Sequence, residues 1–292
     1  MKRGIVAGVV VLAAILAVAA WAQSGGGSVV NYAVRAGKNF SQKFPAVTFN
    51  AKQAADLKAG KPVCLLLPAE HGLKSGFMTA IVPYDPVTVW WIVTDVPHFH
   101  LVDSAYPNTG SLFDKRRTFM PYVFDGAVCT EGGKRYLYQL LVMPFVAPRK
   151  YSLDRRPDRD GFPWESAWSA APTLICSDKR NPEMEKFFSD AIQLTHNNGA
   201  WHISPVPEKY RDAPADARKA FIEYFVDTNP GGDLAALAAI VNKATSVAMP
   251  TLHQNLMALS KGFDEHMRKY HSPEDQARYR AERDAFFKSV GQ

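Results

Sequence analysis

Two groups of residues in this sequence could do chemistry. His98-Phe99-His100 puts two imidazoles on one face of an extended segment, with Asp95 and Asp103 close by. These are donor types that bind a zinc-class ion. The pattern supplies no distant third ligand, and a polar cap on the turn after a helix explains it equally well, so no metal is expected. The second group surrounds Arg155. In LVMPFVAPRKYSLDRR (141–156), alternation puts Arg149, Tyr151, Leu153 and Arg155 on one strand face and Lys150, Ser152, Asp154 and Arg156 on the other. The second face is wholly polar and suits water. The first buries a tyrosine and a leucine yet ends in a guanidinium. Either Arg155 snorkels out from the strand end, or it faces a cavity whose contents need one polar anchor.

Other chemistries have little support. G-x-S-x-G, H-E-x-x-H, a Walker loop, G-x-G-x-x-G and C-x-x-C are all absent. His71, His196, His202 and His253 are scattered and receive no role. No cofactor is expected. Cys64, Cys129 and Cys176 are too few for a disulfide framework. Cys64, in PVCLLLP, reads as a small buried hydrophobe. Cys129 sits beside a hairpin tip, and Cys176 follows a later strand. In an up-and-down meander the two belong at opposite ends of the sheet, so no Cys129–Cys176 bridge is expected.

The elements that must position these residues follow from turn and cap signals. Asn50 caps a short helix that Gly60 stops. Two strands follow, KPVCLLLPA and GFMTAIVP, and Asp85-Pro86 opens the helix PVTVWWIVTD. An antiparallel series comes next: DKRRTFMPYVFDG and KRYLYQLLVMP about a Glu131-Gly132-Gly133 turn, then RKYSLDRR and FPWESAWSAAP. Strands around GAWHISPVP and AFIEYFVDT close it. From Leu234 to Met267 apolar residues recur every three or four positions, one stripe of a long helix that Pro250 should kink or divide. Ser272 and Pro273 begin a charged terminal helix. The sum is an α+β fold, a strongly bent antiparallel sheet gripping a long amphipathic helix.

Residues 1–22 read as an export leader: Lys2 and Arg3, an apolar run, and Ala20-Trp21-Ala22 as the cleavage site. The apolar run is also long enough to remain as an uncleaved anchor. Either way the globular part is expected outside the cytoplasm, in the periplasm or cell envelope. Residues 23–48 read as a linker. The formal net charge of +6 is modest and dispersed, and Lys2 and Arg3 supply part of it. Nucleic acid is therefore excluded as a partner, while transient contact with anionic lipid head groups fits. With 47% hydrophobic residues, a chain of this length can bury about three quarters of its surface in one large core.

Four fragments in this order resemble the START-like branch of the helix-grip superfamily, often labelled SRPBCC. They are DPVTVWWIVTD, MPFVAPRKYSL, GAWHISP and YFVDTNPGG. The resemblance covers about Asn50 to Lys269, which places the domain at 49–270 and a charged extension at 271–292. Lys150 stands where the family has an aspartate, and GGDLAALAA lacks the family's proline. The resemblance implies a deep cavity between sheet and helix for a sterol, phospholipid or other apolar molecule, and Arg155 matches a buried arginine of several members.

The aromatic residues have two readings, ordinary core packing and a cavity lining. On the second, the residues expected to line the ligand are Tyr122, Tyr138, Gln139, Tyr151, Arg155, Trp164, Trp168, Trp201, Tyr224, Leu252, Leu256, Leu259 and Phe263. Arg155, with Gln139 or a tyrosine hydroxyl, would orient a polar head, and the long helix would act as lid. The expected function is a monomeric, non-enzymatic carrier of a hydrophobic molecule. One alternative is a polyketide cyclase or dehydratase-like enzyme, for which Glu223 is the obvious acid but reads as a surface residue. The other is an envelope interaction module with a filled core.

Overall fold

The computed structural model describes residues 32–35, 37–39, 44–69, 73–98, 123–142, 147–231 and 238–291. It begins with two short antiparallel strands, β1 (Tyr32–Arg35) and β2 (Phe44–Val47). Both fall in the segment expected as a linker, and tertiary contacts rather than local periodicity order them. Phe44 is fully buried and stacks on His202 at 3.8 Å between ring centroids. The backbone N–H groups of Lys38 and Asn39 donate to the Glu165 carboxylate at 3.1 and 2.8 Å.

The cap signals then hold. α1 (Ala51–Lys58) starts with a capping box between Asn50 and Gln53. After β3 (Val63–Pro68) and β4 (Lys74–Val82), α2 (Pro86–Thr94) is capped by Asp85, whose carboxylate accepts from the Thr88 N–H and hydroxyl, both at 2.8 Å. Strands β5 (Val123–Glu131) and β6 (Lys134–Leu141) meet at Gly132 and Gly133. Their φ of +56° and +75° is the left-handed pair that a two-residue hairpin needs. There follow β7 (Arg149–Asp158), β8 (Trp164–Ala170), α3 (Glu185–Ser189), β9 (Ile192–Gln193), β10 (His196–Pro205), β11 (Ala220–Asn229), α4 (Ala238–Lys261), α5 (Phe263–Tyr270) and α6 (Pro273–Ser289).

Nine of these strands form one sheet in the order β3-β4-β11-β10-β8-β7-β6-β5, with β9 added parallel to β7. The other pairings are antiparallel. The inner face shares one core with the helices: Trp164, Trp168, Trp201 and Tyr224 from the sheet lie in a cluster with Leu252, Leu256, Leu259 and Phe263. This is the α+β arrangement expected, a sheet gripping a long helix. Among the described residues, no helix is long and apolar enough to cross a membrane.

Three expectations need correction. Of the kink or division expected at Pro250, the division does not occur: Pro250 lies inside α4, and the break falls at Gly262. Met249, Leu252, Leu256 and Leu259 all pack on the core, and that burial carries the helix past one missing N–H, whereas glycine has low helix propensity. The terminal helix is also no mere extension. Tyr279 and Phe286 are buried in the main core, Tyr279 shares a 2.8 Å hydrogen bond with Thr88, and Trp91 Nε1 donates to Glu282 at 2.8 Å.

The third correction concerns cysteines. Cys129 and Cys176 are disulfide-bonded, their Cα atoms 5.7 Å apart. After β8 the chain does not run on past the sheet end but doubles back across the outer face. Ala171 N–H donates to Ser152 O at 2.7 Å, and the Ser152 hydroxyl joins the Ile175 backbone at 2.6 and 2.8 Å. That path carries Cys176 over β6 to Cys129. It also buries Ser152, on the face expected to meet water, under residues 172–191.

Candidate functional site

The strand register decides which way Arg155 points. Tyr151 and Leu153 lie in the main core, so Arg155, next on the same face, points inward. Its guanidinium donates to Ser166 Oγ at 2.5 Å and to the Val93 carbonyl at 3.2 Å. Among the described residues no carboxylate pairs with it. Burial, with the charge of Arg135 adding, pulls its pKa down to about 9, so it remains a cation at neutral pH. It lines a cleft of about 270 Å³, open mouth included, with Thr94, Val96, Val128 and Leu137 among its walls. Most of that volume is open mouth or gaps too narrow to fill, and the enclosed room accommodates about one water molecule.

A second polar group runs along the same face. The Tyr151 hydroxyl donates to Gln139 Oε1 at 2.8 Å and also engages Asn197, while Trp168 Nε1 donates to Asn197 Oδ1 at 3.0 Å. Burial pushes the hydroxyl pKa values of Tyr151 and Tyr224 upward, so both stay neutral. These polar groups in an apolar wall satisfy one another, which removes the penalty for burying them. Trp201 packs on Tyr224 at 4.4 Å between centroids, and Trp168 lies 5.9 Å from Tyr224. Trp168 itself crosses Gly199, where a Cβ would stand 2.4 Å from its ring and 2.2 Å from the Phe225 carbonyl.

Of the residues expected to line a ligand, the structure gathers Gln139, Tyr151, Arg155, Trp164, Trp168, Trp201, Tyr224, Leu252, Leu256, Leu259 and Phe263 between sheet and helices. Tyr138 is not among them. It faces outward, buried with Leu140, Cys176 and Met184 beneath the crossing segment, because Leu137 and Gln139 take the inner face. Tyr122 lies outside the described residues, as do His100, Asp103 and the leader.

Sequence reasoning missed Ser166 and Asn197 as polar partners, and Arg149. That arginine is buried and donates to the carbonyls of Pro230, at 2.8 Å, and Ala147, fastening the chain ahead of α4. Ser166 shares a strand face with Trp164 and Trp168 by alternation, but nothing in the sequence says what it meets, and Asn197 lies before the strand that the sequence predicts. Glu223 stands in an outer-face row with His202 and Glu165, away from the inner face. His202 Nε2 and the Glu165 carboxylate there are 2.5 Å apart and buried.

The histidine pair is also corrected. His98 does acquire distant partners: His98 Nδ1 lies 2.7 Å from Asp95 Oδ1, and His266 Nε2 and His271 Nε2 lie 2.8 and 2.9 Å from Asp95 Oδ2. Asp95 and His266 are less than one tenth exposed. Burial alone would raise the Asp95 pKa, but the three imidazoles outweigh it and hold the carboxyl well below its usual range.

No protein-family model and no curated protein matches this sequence. Solved structures do. Human STARD10 aligns over 86% of this chain and 81% of its own, with a TM-score of 0.53 at 11% identity. A STAR-related lipid transfer protein from Xanthomonas axonopodis aligns over 72% of this chain and 97% of its own, with a TM-score of 0.40 at 14% identity. The lipid transfer and protein localization domain of human StarD13 covers 70% of this chain and 98% of its own, with a TM-score of 0.39 at 9% identity. The likeness to STARD10, with the sheet order and terminal helices above, shows a START-like fold, as the four sequence fragments implied.

Proposed function

We propose that this START-like chain binds a lipid, its apolar part between the inner sheet face and α4 and its polar head on Arg155, and passes it between membranes without covalent chemistry. The observation that carries the reading is the inward guanidinium of Arg155, which has two neutral hydrogen-bond partners and no carboxylate among the described residues. A half-buried cation in that state is suited to a phosphate or hydroxyl supplied by a ligand. The names of the structural neighbours, lipid transfer proteins among them, agree with it. Displacing the packed aromatic residues and lifting α4 would open the space, driven by about 25 cal/mol per Å² of apolar area buried. Sequence features support placing the protein outside the cytoplasm, and a disulfide suits that compartment.

Native mass spectrometry of protein purified gently from its own envelope tests this, followed by titration of Arg155→Leu with the lipid it carries. A charge-assisted hydrogen bond contributes about 1.5–3 kcal/mol, so the variant should bind at least about tenfold more weakly with its fold intact. Unchanged affinity removes Arg155 from the site. The close packing of Trp168, Trp201 and Tyr224 favours one rival, an interaction module with a filled core. That rival is supported if ligand-free protein takes up no member of a phospholipid, sterol and fatty-acid panel.

A further inference from the structure

The C-terminal ends of two helices meet at Asp95. It caps the end of α2, with His98 in the turn that follows, while His266 lies in α5 and His271 caps that helix's end. We propose that Asp95, His98, His266 and His271 form a structural site for one divalent transition-metal ion of the zinc class.

Three observations converge on it. The first is electrostatic. A helix C-terminus carries about half a negative charge and disfavours a carboxylate, yet a buried aspartate sits where two such ends face each other. A dication balances all three negative features at once. The second is geometric. The four donor atoms lie within 4.8 Å of one another. For an ion about 2.0–2.1 Å from each ring nitrogen, tetrahedrally placed imidazole centroids stand roughly 5 Å apart. Here the three separations are 4.9, 5.7 and 6.0 Å, with the ring planes fanned at 67°, 56° and 76°, so a small contraction closes the shell. The third is chemical. Three imidazoles and one carboxylate suit zinc and its neighbours and exclude the hard ions calcium and magnesium, which take oxygen donors.

Four protein donors leave no position for a reacting water, which marks the site as structural rather than hydrolytic. Neighbouring rings hold the same ligands: the Phe263 ring stacks on His266 at 5.5 Å, and Tyr270 on His98 at 5.7 Å. The ion would tie α2 to the end of α5 and fix the helix that covers the inner face at its C-terminal end. The inference does not rest on a lipid being carried.

The test uses full-length protein without a histidine tag, stripped with a chelator and titrated with Zn²⁺ and with Co²⁺. The expected result is one ion retained per chain through gel filtration, four-coordinate ligand-field absorption with Co²⁺, and a rise in melting temperature that grows with Zn²⁺ concentration. His271→Gln should weaken Zn²⁺ binding by about tenfold or more. His196→Gln, whose imidazole pairs with Asp227 elsewhere, should bind as wild type does. If wild-type protein retains no ion and its melting temperature does not move, the four side chains are a hydrogen-bond cluster only and the proposal falls. It falls equally if His271→Gln binds as tightly as wild type. Should that variant fail to fold, the wild-type titration decides alone.

Discussion

Replacing Cys129 by serine and Cys176 by alanine removes a cross-link whose size sets its effect. The bonded residues are 47 apart in sequence. On the chain-entropy model, releasing a loop of that length from the unfolded state costs roughly 4 kcal/mol of stability. That is a large part of the 5–15 kcal/mol that typical domains possess. Alanine suits position 176 because Cys176 is buried among the apolar parts of Tyr138, Met184 and Ala191. Chemical denaturation of the double variant beside the wild type, each with and without reductant, should show the wild type falling to the variant's midpoint only when reduced. Thiol titration of unfolded, unreduced wild-type protein should find Cys64 alone. In the native state even that thiol should react slowly, since burial pushes its pKa up to about 12. Three thiols in the unreduced protein, or equal midpoints for variant and oxidised wild type, would refute the reasoning.

Gly199→Ala should destabilise the protein by about 3 kcal/mol or prevent folding. The new Cβ would meet the Phe225 carbonyl at 2.2 Å, and backbone cannot step aside as a flexible side chain can; an unchanged melting temperature would count against the Trp168 packing described. His253 gives a pH dependence. It is buried in α4, its Nε2 has no hydrogen-bond partner among the described residues, and burial pulls its pKa from 6.5 down to about 4. The unfolded chain therefore takes up a proton below pH 6.5 that the folded chain refuses, so stability is full above that pH and declines as pH falls toward 4. The loss is at most about 3 kcal/mol. His253→Met should flatten that part of the profile, and a difference between the two proteins that does not vary from pH 7 to 4.5 would show that His253 takes up its proton equally in both states, against the depressed pKa.

The elements whose signals are local were legible: the caps at Asn50, Asp85 and Ser272, the Gly132-Gly133 hairpin and the inward row of Trp164, Ser166 and Trp168. The coverings of the outer face were not. Ser152 reads as solvent-facing because it is polar, and His202 receives no role, yet Ser152, Glu165 and His202 are each buried by a segment that supplies a partner from far along the chain. Polarity reports what a side chain needs, and a hydrogen bond can meet that need as well as water. The same limit hid the disulfide, since a meander drawn from strand order says nothing of a connection that folds back over its own sheet. His266 and His271, five residues apart, do not share a helix face. The extended backbone at His271, φ −112° and ψ 152°, turns its ring back to Asp95, and no spacing rule foretells that turn.

Strand order also sets when the sheet can close. β4 lies between β3 and β11, and β11 is the last strand among the described residues. While the polypeptide is being made, one edge of β4 therefore keeps its row of N–H and C=O groups unpaired until almost everything else exists. From Phe77 to Val82 the strand is buried throughout in the finished molecule, so that waiting edge is apolar as well as open. Pairings between such distant segments form slowly, and open apolar edges recruit other chains. A chain cut short before Ala220 would thus be a sticky ribbon in search of a partner rather than a smaller domain.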